Sequence, residues 1–421
     1  MPYIRPYPNG YKDFPDKTTP VTGAVLNAMD DALERLDRVA PYRPTFVTLG
    51  DSRTQYNGKV IVPAGSTGAI AKDNRGYVTR AMIELGQPLT WLENGGVGGD
   101  TVAMMLARTD GLLAYDPGFL IGFGAINSVN NGVSSETIIS ELTQIFDKAA
   151  AKGTTVIWGT DWISPGTEEA EKPVAAGVNA WLRGLALVRP DFYLVDYARV
   201  MSDPTSGFVP VSLGADQLHQ DAPGGAVMGK ALADVLRPLV TPRAQLPTSN
   251  ADTRNLVANG LFTGDASGLA TGWGKGSAAA SVHSKVVRTD GVPGEWQQVV
   301  CTAETATSLT RQTVLSTTDL VVGDKVFAVI EFECDEAGWD ATEFTLQLQT
   351  IGGAAGSPTV PKIVNDNALA AVSPLPAPVI RKGILRTPNL PIIDGATHLQ
   401  VSVRLRGSGT YRVARVGVYR A

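Results

Sequence analysis

Residues 46–52 read Phe-Val-Thr-Leu-Gly-Asp-Ser, a largely apolar run that ends in a glycine, an aspartate and a serine. A short apolar run bounded by turn residues is typical of a strand that is buried on both faces of a parallel sheet. A serine directly after such a strand lies on a turn at the edge of the sheet, where its hydroxyl can meet a substrate. The stretch therefore predicts an α/β fold and makes Ser52 a candidate nucleophile.

Apolar strand patterns alternate with amphipathic helical patterns from residue 41 to residue 245. The further strands are predicted at 89–92, 119–123, 155–158 and 192–195. The helices are predicted near 75–86, 101–114, 135–151, 174–188 and 223–236. Repeated β–α units with apolar strands indicate a parallel sheet covered by helices on both faces. Loops at the carboxyl ends of such strands carry the site, and 94–101 and 124–127 are two of these loops.

A single histidine precedes residue 245, at the end of the sequence Asp-Gln-Leu-His at 216–219. A serine hydroxyl is a poor nucleophile near neutral pH unless an imidazole takes its proton and a carboxylate orients the imidazole. Asp216 can reach Nδ1 of His219 from the same loop, which leaves Nε2 to face Ser52. The alternative is that Asp216 and His219 form a surface salt bridge and that Ser52 caps a helix.

Four blocks in this order resemble the SGNH (GDSL-type) hydrolase family: FVTLGDS at 46–52, NGGVGGDT at 94–101, Asn127, and DQLH at 216–219 followed by Gly224. The resemblance implies a flavodoxin-like, three-layer α/β/α fold and ester hydrolysis. It implies that Ser52 is the nucleophile, His219 the general base and Asp216 the residue that orients the imidazole. It also implies an oxyanion hole made of the backbone N–H groups of Ser52 and Gly99 and the side-chain amide of Asn127.

The third block departs from the family pattern, which usually reads Gly-x-Asn-Asp. Here alanine takes the place of the nearer glycine at Ala125, and serine replaces the aspartate at Ser128. Ser128 either hydrogen-bonds a neighbouring loop or is a neutral substitution. Of the acidic residues nearby, Asp51 is expected to accept hydrogen bonds that hold its loop rather than to carry a proton, and Asp161 is expected to cap a helix rather than to line the cleft.

The composition of the 421 residues argues against two kinds of partner. Hydrophobic residues make up 43% and charged residues 18%, as in a folded protein. The formal charge of −5 and the lack of a Lys/Arg cluster predict no binding to nucleic acid. No apolar run approaches the roughly 18 residues that span a bilayer, so no membrane insertion is expected. The length suggests two or three domains.

The cysteines, Cys301 and Cys334, show no metal-ligand spacing. We therefore expect no metal or other cofactor, and an activity that is indifferent to chelators. Buried, unpaired thiols are the favoured state, and a disulfide between facing strands is the alternative.

A stretch at 238–255, rich in Pro, Thr, Ser and Asn, is predicted to be a linker, and a second domain is predicted to span 246–421. Its apolar residues recur with a period of two, as in the run from 326 to 334, which predicts an antiparallel β-sandwich. Residues 255–262, with Trp273 downstream, resemble the opening of jelly-roll carbohydrate-binding modules. By that resemblance Trp273, Trp296 and Trp339 are candidates for stacking on sugar rings. Alternatively, these rings fill the sandwich core or an interface.

Residues 1–40 are predicted to form an attachment arm with one short helix. Its apolar residues share one helical seam, which is compatible with a homotrimeric coiled coil or with docking on the next domain: Leu26, Met29, Leu33 and Leu36. The segments 9–11, 14–22 and 26–30 resemble the starts of phage tail and receptor-binding proteins. The resemblance implies a location in the virion tail, with other tail proteins as partners. The amino-terminal residues also lack the apolar core that is typical of a signal peptide.

Together the resemblances imply a phage tail-associated carbohydrate O-acetylesterase that acts on a bacterial surface polysaccharide. Two alternatives stay open at this point. One is a receptor-binding tail protein whose hydrolase fold has weak or no turnover. The other is an esterase of lipids or peptidoglycan.

Overall fold

The computed structural model describes residues 42–57, 59–61, 69–71, 75–241, 246–275, 281–352, 359–363 and 381–421. The predicted arm at 1–40 and its helical seam lie outside these ranges.

The first half of the described chain alternates strands and helices. In chain order these are β1 Thr45–Gly50, α1 Ser52–Gln55, β2 Lys59–Ile61, β3 Ala69–Ala71, α2 Tyr77–Glu84, β4 Thr90–Gly96, α3 Val102–Leu113, β5 Phe119–Phe123, α4 Ile126–Asn130, α5 Ser135–Ala151, β6 Thr155–Gly159, α6 Lys172–Val188, β7 Phe192–Val195, α7 Tyr197–Met201 and α8 Ala222–Leu236. Strands β1 and β4 to β7 form one parallel sheet, and β2 and β3 form a separate antiparallel two-stranded sheet.

Helices cover both faces of the parallel sheet because its strands are apolar on both faces. Val47 and Leu49 of β1 are buried on the side of α3, α5 and α6. Phe46 of the same strand is buried on the opposite side, against α2 and α8. The predicted three-layer α/β/α fold is therefore confirmed, since successive strand residues supply two separate cores.

The order of the parallel strands is β4-β1-β5-β6-β7. Counted along the chain within this sheet, that is the flavodoxin-like order 2-1-3-4-5. The direction of winding reverses between β1 and β5, and the reversal leaves a crevice at the carboxyl ends of these two strands. Ser52 follows β1 and Asn127 follows β5, so both lie at this crevice.

Every strand and helix predicted for this half is present, with ends that shift by a few residues. The structure adds the short helices α1, α4 and α7, which start just after strand ends, and the antiparallel pair β2–β3. Each of these helices has four or five residues, which is too short for an apolar period to be visible in the sequence.

The second half of the described chain is antiparallel β-structure. Its strands are β8 Gly274–Lys275, β9 Ser281–Val287, β10 Glu295–Val314, β11 Lys325–Cys334, β12 Asp340–Gly352, β13 Thr359–Ile363, β14 Lys382–Arg386, β15 Leu390–Pro391 and β16 Ala396–Arg420. The long strand β16 pairs with β10 along most of its length, with β12 in its first part and with β11 in its second part. The pairing changes near Gly407, whose φ of +106° suits glycine.

The predicted period-two face of β11 is buried. Val326, Ala328, Ile330, Phe332 and Cys334 all lie in one core with alternate residues of β12 and β16. The antiparallel β-sandwich expected from the alternation is thus confirmed.

The two cysteines lie in the described part of the chain, and no disulfide joins them. Cys301 and Cys334 are both buried in the sandwich core. Burial raises the pKa of the Cys334 thiol well above its usual value. The thiols therefore serve as small apolar residues, as the favoured prediction states.

No helix among the described residues is long and apolar enough to cross a bilayer.

Candidate active site

The structure brings Ser52, His219 and Asp216 together. Ser52 is the first residue of α1, and its Oγ lies 2.7 Å from Nε2 of His219. On the other side of the ring, Nδ1 of His219 lies 2.7 Å from Oδ2 of Asp216. With the Nδ1 proton donated to the carboxylate, Nε2 keeps the lone pair that accepts the serine O–H.

The turn between β1 and α1 is tight, and it exposes the side chain of Ser52. Asp51, rather than Ser52, is the N-cap, and its side chain accepts a hydrogen bond from the backbone N–H of Arg53. A Cβ at Gly50 would lie 2.2 Å from Oγ1 of Thr54 and 2.6 Å from the carbonyl oxygen of Phe123. Only glycine therefore allows the strand to pass this close to its neighbours.

Asp216 is held by its own loop and not only by the imidazole. Its Oδ1 accepts the backbone N–H groups of Leu218 at 3.0 Å and His219 at 2.7 Å. Partial burial acts to raise the pKa of the Asp216 carboxyl, but the hydrogen bonds from His219 and Leu218 outweigh it and hold this pKa below its usual range. The carboxylate thus stays charged while it orients the ring.

Gln220 was not predicted from the sequence, and it ties the histidine loop to the nucleophile. Its fully buried side chain donates from Nε2 to the carbonyl oxygen of Arg53 at 2.9 Å and to that of Arg75 at 3.2 Å. Because Gln220 directly follows His219 and Arg53 directly follows Ser52, these bonds hold the two segments in register.

The predicted oxyanion donors Gly99 and Asn127 are joined through the 94–101 loop, which lies beside the same serine. Gly99 has a φ of +83°, and a Cβ there would meet no atom within 4 Å, so glycine is required by the backbone and the adjoining space is open. A Cβ at Gly98 would lie 3.8 Å from the Cβ of Ser52, which places this loop beside the nucleophile. Asn127 donates from Nδ2 to the carbonyl oxygen of Asp100 at 3.0 Å, and this bond orients its amide.

The unusual Ser128 has a structural task. Its hydroxyl is fully buried and accepts the backbone N–H of Val102 at 2.9 Å, at the first turn of α3. It therefore links α4, which carries Asn127, to the end of the 94–101 loop. Of the two interpretations that the sequence left open, a hydrogen bond to a neighbouring loop is the one observed.

Arg53 is a charged residue near the site that the sequence pattern did not indicate. It is fully buried and contacts two aspartates, Asp51 and Asp161, that each come just after a strand. The sequence did indicate that some such partner exists, because two carboxylates after buried strands need a cation or several N–H donors. Nothing local, however, indicates which of the arginines pairs with them.

A tyrosine and an arginine form one wall beside the histidine. The ring centroid of Tyr56 is 5.5 Å from that of His219, and the guanidinium carbon of Arg75 is 4.0 Å from the Tyr56 ring centroid.

Within the described ranges, no group of His, Cys, Asp and Glu side chains is arranged to hold a metal ion.

The tryptophans predicted to bind sugar are mostly core residues. Trp273 is 6% exposed, stacks on Phe262 and donates from Nε1 to the carbonyl oxygen of Asn259. Trp339 is 8% exposed and packs in the sandwich core. The expectation of sugar stacking is corrected for these two, because neither presents an open ring face. Trp296 is only partly buried, with a guanidinium 4.3 Å from its centroid, and its role stays a prediction.

A serine, a histidine and an aspartate at the switch point of a three-layer α/β/α fold define the site of a serine hydrolase. Residues 48–227 match the GDSL-like lipase/acylhydrolase family, and this part of the chain is a domain of that family. The chain accordingly contains an ester-hydrolysing serine hydrolase domain. No curated protein matches the chain significantly.

Solved structures similar to the chain come from several bacteria. A lipase/acylhydrolase from Enterococcus faecalis is 17% identical over 48% of this chain and 98% of its own, with a TM-score of 0.37. A GDSL-like lipase from Bacteroides thetaiotaomicron is 13% identical over 50% of this chain and 98% of its own, with a TM-score of 0.38. A psychrotrophic esterase from Pseudoalteromonas is 16% identical over 47% of this chain and 98% of its own, with a TM-score of 0.37.

Replacing Asn127 with alanine should lower kcat by about 10²- to 10³-fold, the typical effect of one lost oxyanion donor. KM should change little, because the donor acts on charge that develops in the transition state. Steady-state kinetics with p-nitrophenyl acetate would measure both constants. Asn131→Ala, at the other end of α4, is the matched control, and an Asn127→Ala enzyme as active as this control would contradict the assignment.

Proposed function

We propose that the chain is a serine esterase of the phage tail that removes acyl groups, most simply acetyl, from a bacterial surface polysaccharide. Ser52 is the nucleophile, His219 the general base and Asp216 the residue that orients the base. The observation that carries this proposal is the 2.7 Å contact between Ser52 Oγ and His219 Nε2.

The reaction follows from that contact. His219 takes the proton of Ser52 as Oγ attacks the ester carbonyl carbon, and the carbonyl oxygen becomes an oxyanion. The backbone N–H groups of Ser52 and Gly99 and the amide of Asn127 then donate to that oxygen. As the bond between the acyl carbon and the sugar oxygen breaks, the imidazolium gives its proton to that oxygen, which leaves as a hydroxyl, and the acyl group stays on Ser52. A water, deprotonated by His219, attacks this acyl-enzyme and releases the carboxylic acid.

A cavity of about 740 Å³ at the sandwich supports a saccharide as partner. It is lined by the partly exposed Tyr419, by the planar polar side chains of Asp252 and Asn389, and by Thr90 at the start of β4. Aromatic faces pack against the apolar patches of sugars, and planar polar groups can bond neighbouring hydroxyls in pairs. None of the triad residues lines this cavity, so a glycan bound here would be held apart from the reacting ester.

The amino-terminal sequence supports the tail location. The segments at 9–11, 14–22 and 26–30 resemble the starts of tail proteins, and the seam from Leu26 to Leu36 is compatible with a trimer. Light scattering of the full chain and of a chain lacking 1–40 would test the trimer. An identical oligomeric state for both would contradict a role of the arm in assembly.

The substrate class is tested by acyl-chain length and by acetate release. A deacetylase should cleave p-nitrophenyl acetate much faster than the palmitate ester, and it should free acetate from the purified capsule of a susceptible bacterium. The Ser52→Ala variant is the control for spontaneous hydrolysis. Faster cleavage of the long ester with no acetate released from any capsule or wall glycan would favour a lipid esterase instead.

We expect kcat/KM for p-nitrophenyl acetate to decrease as the pH is lowered from about 8 to about 5. Only neutral imidazole accepts the proton of Ser52, so protonation of His219 removes the active form. Asp216 adds no second step in this interval, because its pKa is below the usual range and the carboxylate stays ionised. A rate that is flat over the interval would contradict the role of His219 as base.

A further inference from the structure

A buried cluster of three charged side chains lies directly beneath the nucleophile. Arg53 is fully buried, and Asp51 and Asp161 are 1% and 5% exposed. The guanidinium donates from Nε to Oδ1 of Asp51 at 3.0 Å, from Nη2 to Oδ2 of Asp51 at 2.5 Å, and from Nη1 to Oδ1 of Asp161 at 2.6 Å. One arginine thus bonds two carboxylates from different strand ends.

Aromatic rings hold the guanidinium in place. Its central carbon is 4.1 Å from the ring centroid of Phe123 and 4.8 Å from that of Trp162. Burial acts to lower the pKa of Arg53, but Asp161 and Asp51 outweigh it and raise the pKa above its usual value. The side chain is therefore a fixed cation, and the planar fork of arginine sets the angle between its two carboxylate partners.

Each carboxylate holds one part of the site. Asp51 is the N-cap of α1, the helix that starts with Ser52. Asp161 accepts, through Oδ2, the backbone N–H groups of Ala125 and of Ile126, the latter at 3.1 Å. These two N–H groups lie at the start of α4, and Asn127 is the next residue along the helix. A chain of hydrogen bonds thus runs from Asp51, the neighbour of the nucleophile, through Arg53 and Asp161 to the backbone of Ala125 and Ile126, next to the oxyanion donor Asn127.

Asp161 is itself clamped to the neighbouring helix α6. Its backbone N–H donates to Oδ1 of Asn179 at 2.9 Å, and Nδ2 of Asn179 donates to its carbonyl oxygen at 2.6 Å. The start of α4 therefore cannot move relative to β6 without breaking buried hydrogen bonds, which costs about 1 to 3 kcal/mol for each group left unpaired.

We propose that Arg53 and Asp161 are positioning residues of the oxyanion hole, which set the distance between Ser52 and the amide of Asn127. The inference rests on the proposed function. Neither residue touches the substrate, and their effect on the reaction is exerted through α4. A contribution to stability does not explain the cluster, since apolar replacements of buried ion pairs are often neutral or stabilising. A role in positioning explains it, because the cluster lies between the segment that carries the nucleophile and the helix that carries the oxyanion donor.

The test is a double-mutant cycle with Arg53→Lys and Asn127→Ala. Lysine keeps the charge but cannot bond both carboxylates with a planar fork, so kcat for p-nitrophenyl acetate should fall by about 10- to 100-fold with KM nearly unchanged. In the Asn127→Ala background the same substitution should cost less than about three-fold, because the donor that it misplaces is already absent. Equal losses in both backgrounds would overturn the proposal.

A matched control and a second variant separate positioning from folding. Arg183→Lys is the matched control. Arg183 also bonds an aspartate, Asp196, which follows β7 and caps the start of α7. The substitution should leave kcat within about two-fold of wild type, because α7 carries no donor to the substrate. If Arg53→Lys does not fold, judged by circular dichroism, Asp161→Asn is taken through the same cycle, with the same expected and contrary results.

Labelling of Ser52 by a p-nitrophenyl phosphonate distinguishes failure of this inference from failure of the proposed function. Ser52 Oγ bonds to phosphorus, p-nitrophenolate leaves, and His219 takes the serine proton, so the step uses the oxyanion hole without any ester turnover. Wild type that is labelled but hydrolyses no ester would contradict only the esterase proposal, and the cycle would then be read from labelling rates by mass spectrometry. Wild type that is not labelled would contradict both.

Discussion

Replacing Ser52 with alanine should lower kcat for p-nitrophenyl acetate by about 10⁴-fold or more, leaving at most the slow rate due to binding and the oxyanion hole. The reason is that the alanine side chain has no oxygen to attack the ester, while the ring of His219 loses the hydroxyl that lies 2.7 Å from its Nε2. The substitution removes one partly exposed hydroxyl, so the free energy of unfolding should change little.

The measurement is release of p-nitrophenolate by wild type and variant at equal concentration, with thermal unfolding of both. Ser206→Ala is the matched control, since it removes an exposed hydroxyl whose hydrogen bonds stay within its own loop, to Asp203 and to the backbone N–H of Phe208. Wild-type turnover no faster than that of Ser52→Ala would contradict the esterase function. It would favour the alternative of a receptor-binding protein on a hydrolase fold.

Replacing Asp216 with asparagine should lower kcat by about 10³- to 10⁴-fold. The asparagine amide can donate to Nδ1 of His219, which would place the ring proton on Nε2 and leave no lone pair facing Ser52. The variant also removes the charge that stabilises the imidazolium. The Oδ1 atom can still accept the N–H groups of Leu218 and His219, so the loop should keep its shape.

Asp221→Asn is the control for this prediction, because it removes another carboxylate from the same loop. Asp221 accepts the N–H of Ala215 and does not contact the histidine ring. The ratio of the two kcat values, measured with p-nitrophenyl acetate, isolates the effect at Nδ1. If Asp216→Asn retained more than about a tenth of the activity of Asp221→Asn, the orienting role of Asp216 would be wrong.

The residues of the candidate active site can be predicted from the sequence because each follows a pattern with a physical meaning. Ser52 ends an apolar strand, and His219 stands three residues after a carboxylate in a long segment with no other histidine. The sugar-binding tryptophans had no such support. A tryptophan on a strand reads the same whether its ring faces water or the core, and Trp273 and Trp339 face the core.

The strands, the longer helices and the order of the site residues can be predicted from the sequence, since these depend on the spacing of apolar side chains and on short-range hydrogen bonds. Packing of the chain is needed to bring Arg53 to Asp51 and Asp161, Gln220 to the nucleophile segment, and Ser128 to the first turn of α3. Each of these is a buried polar contact between segments distant in the chain. Its partner is chosen by which groups the packed sheet and helices bring within hydrogen-bonding distance, about 3 Å, and no local pattern of residues encodes that choice.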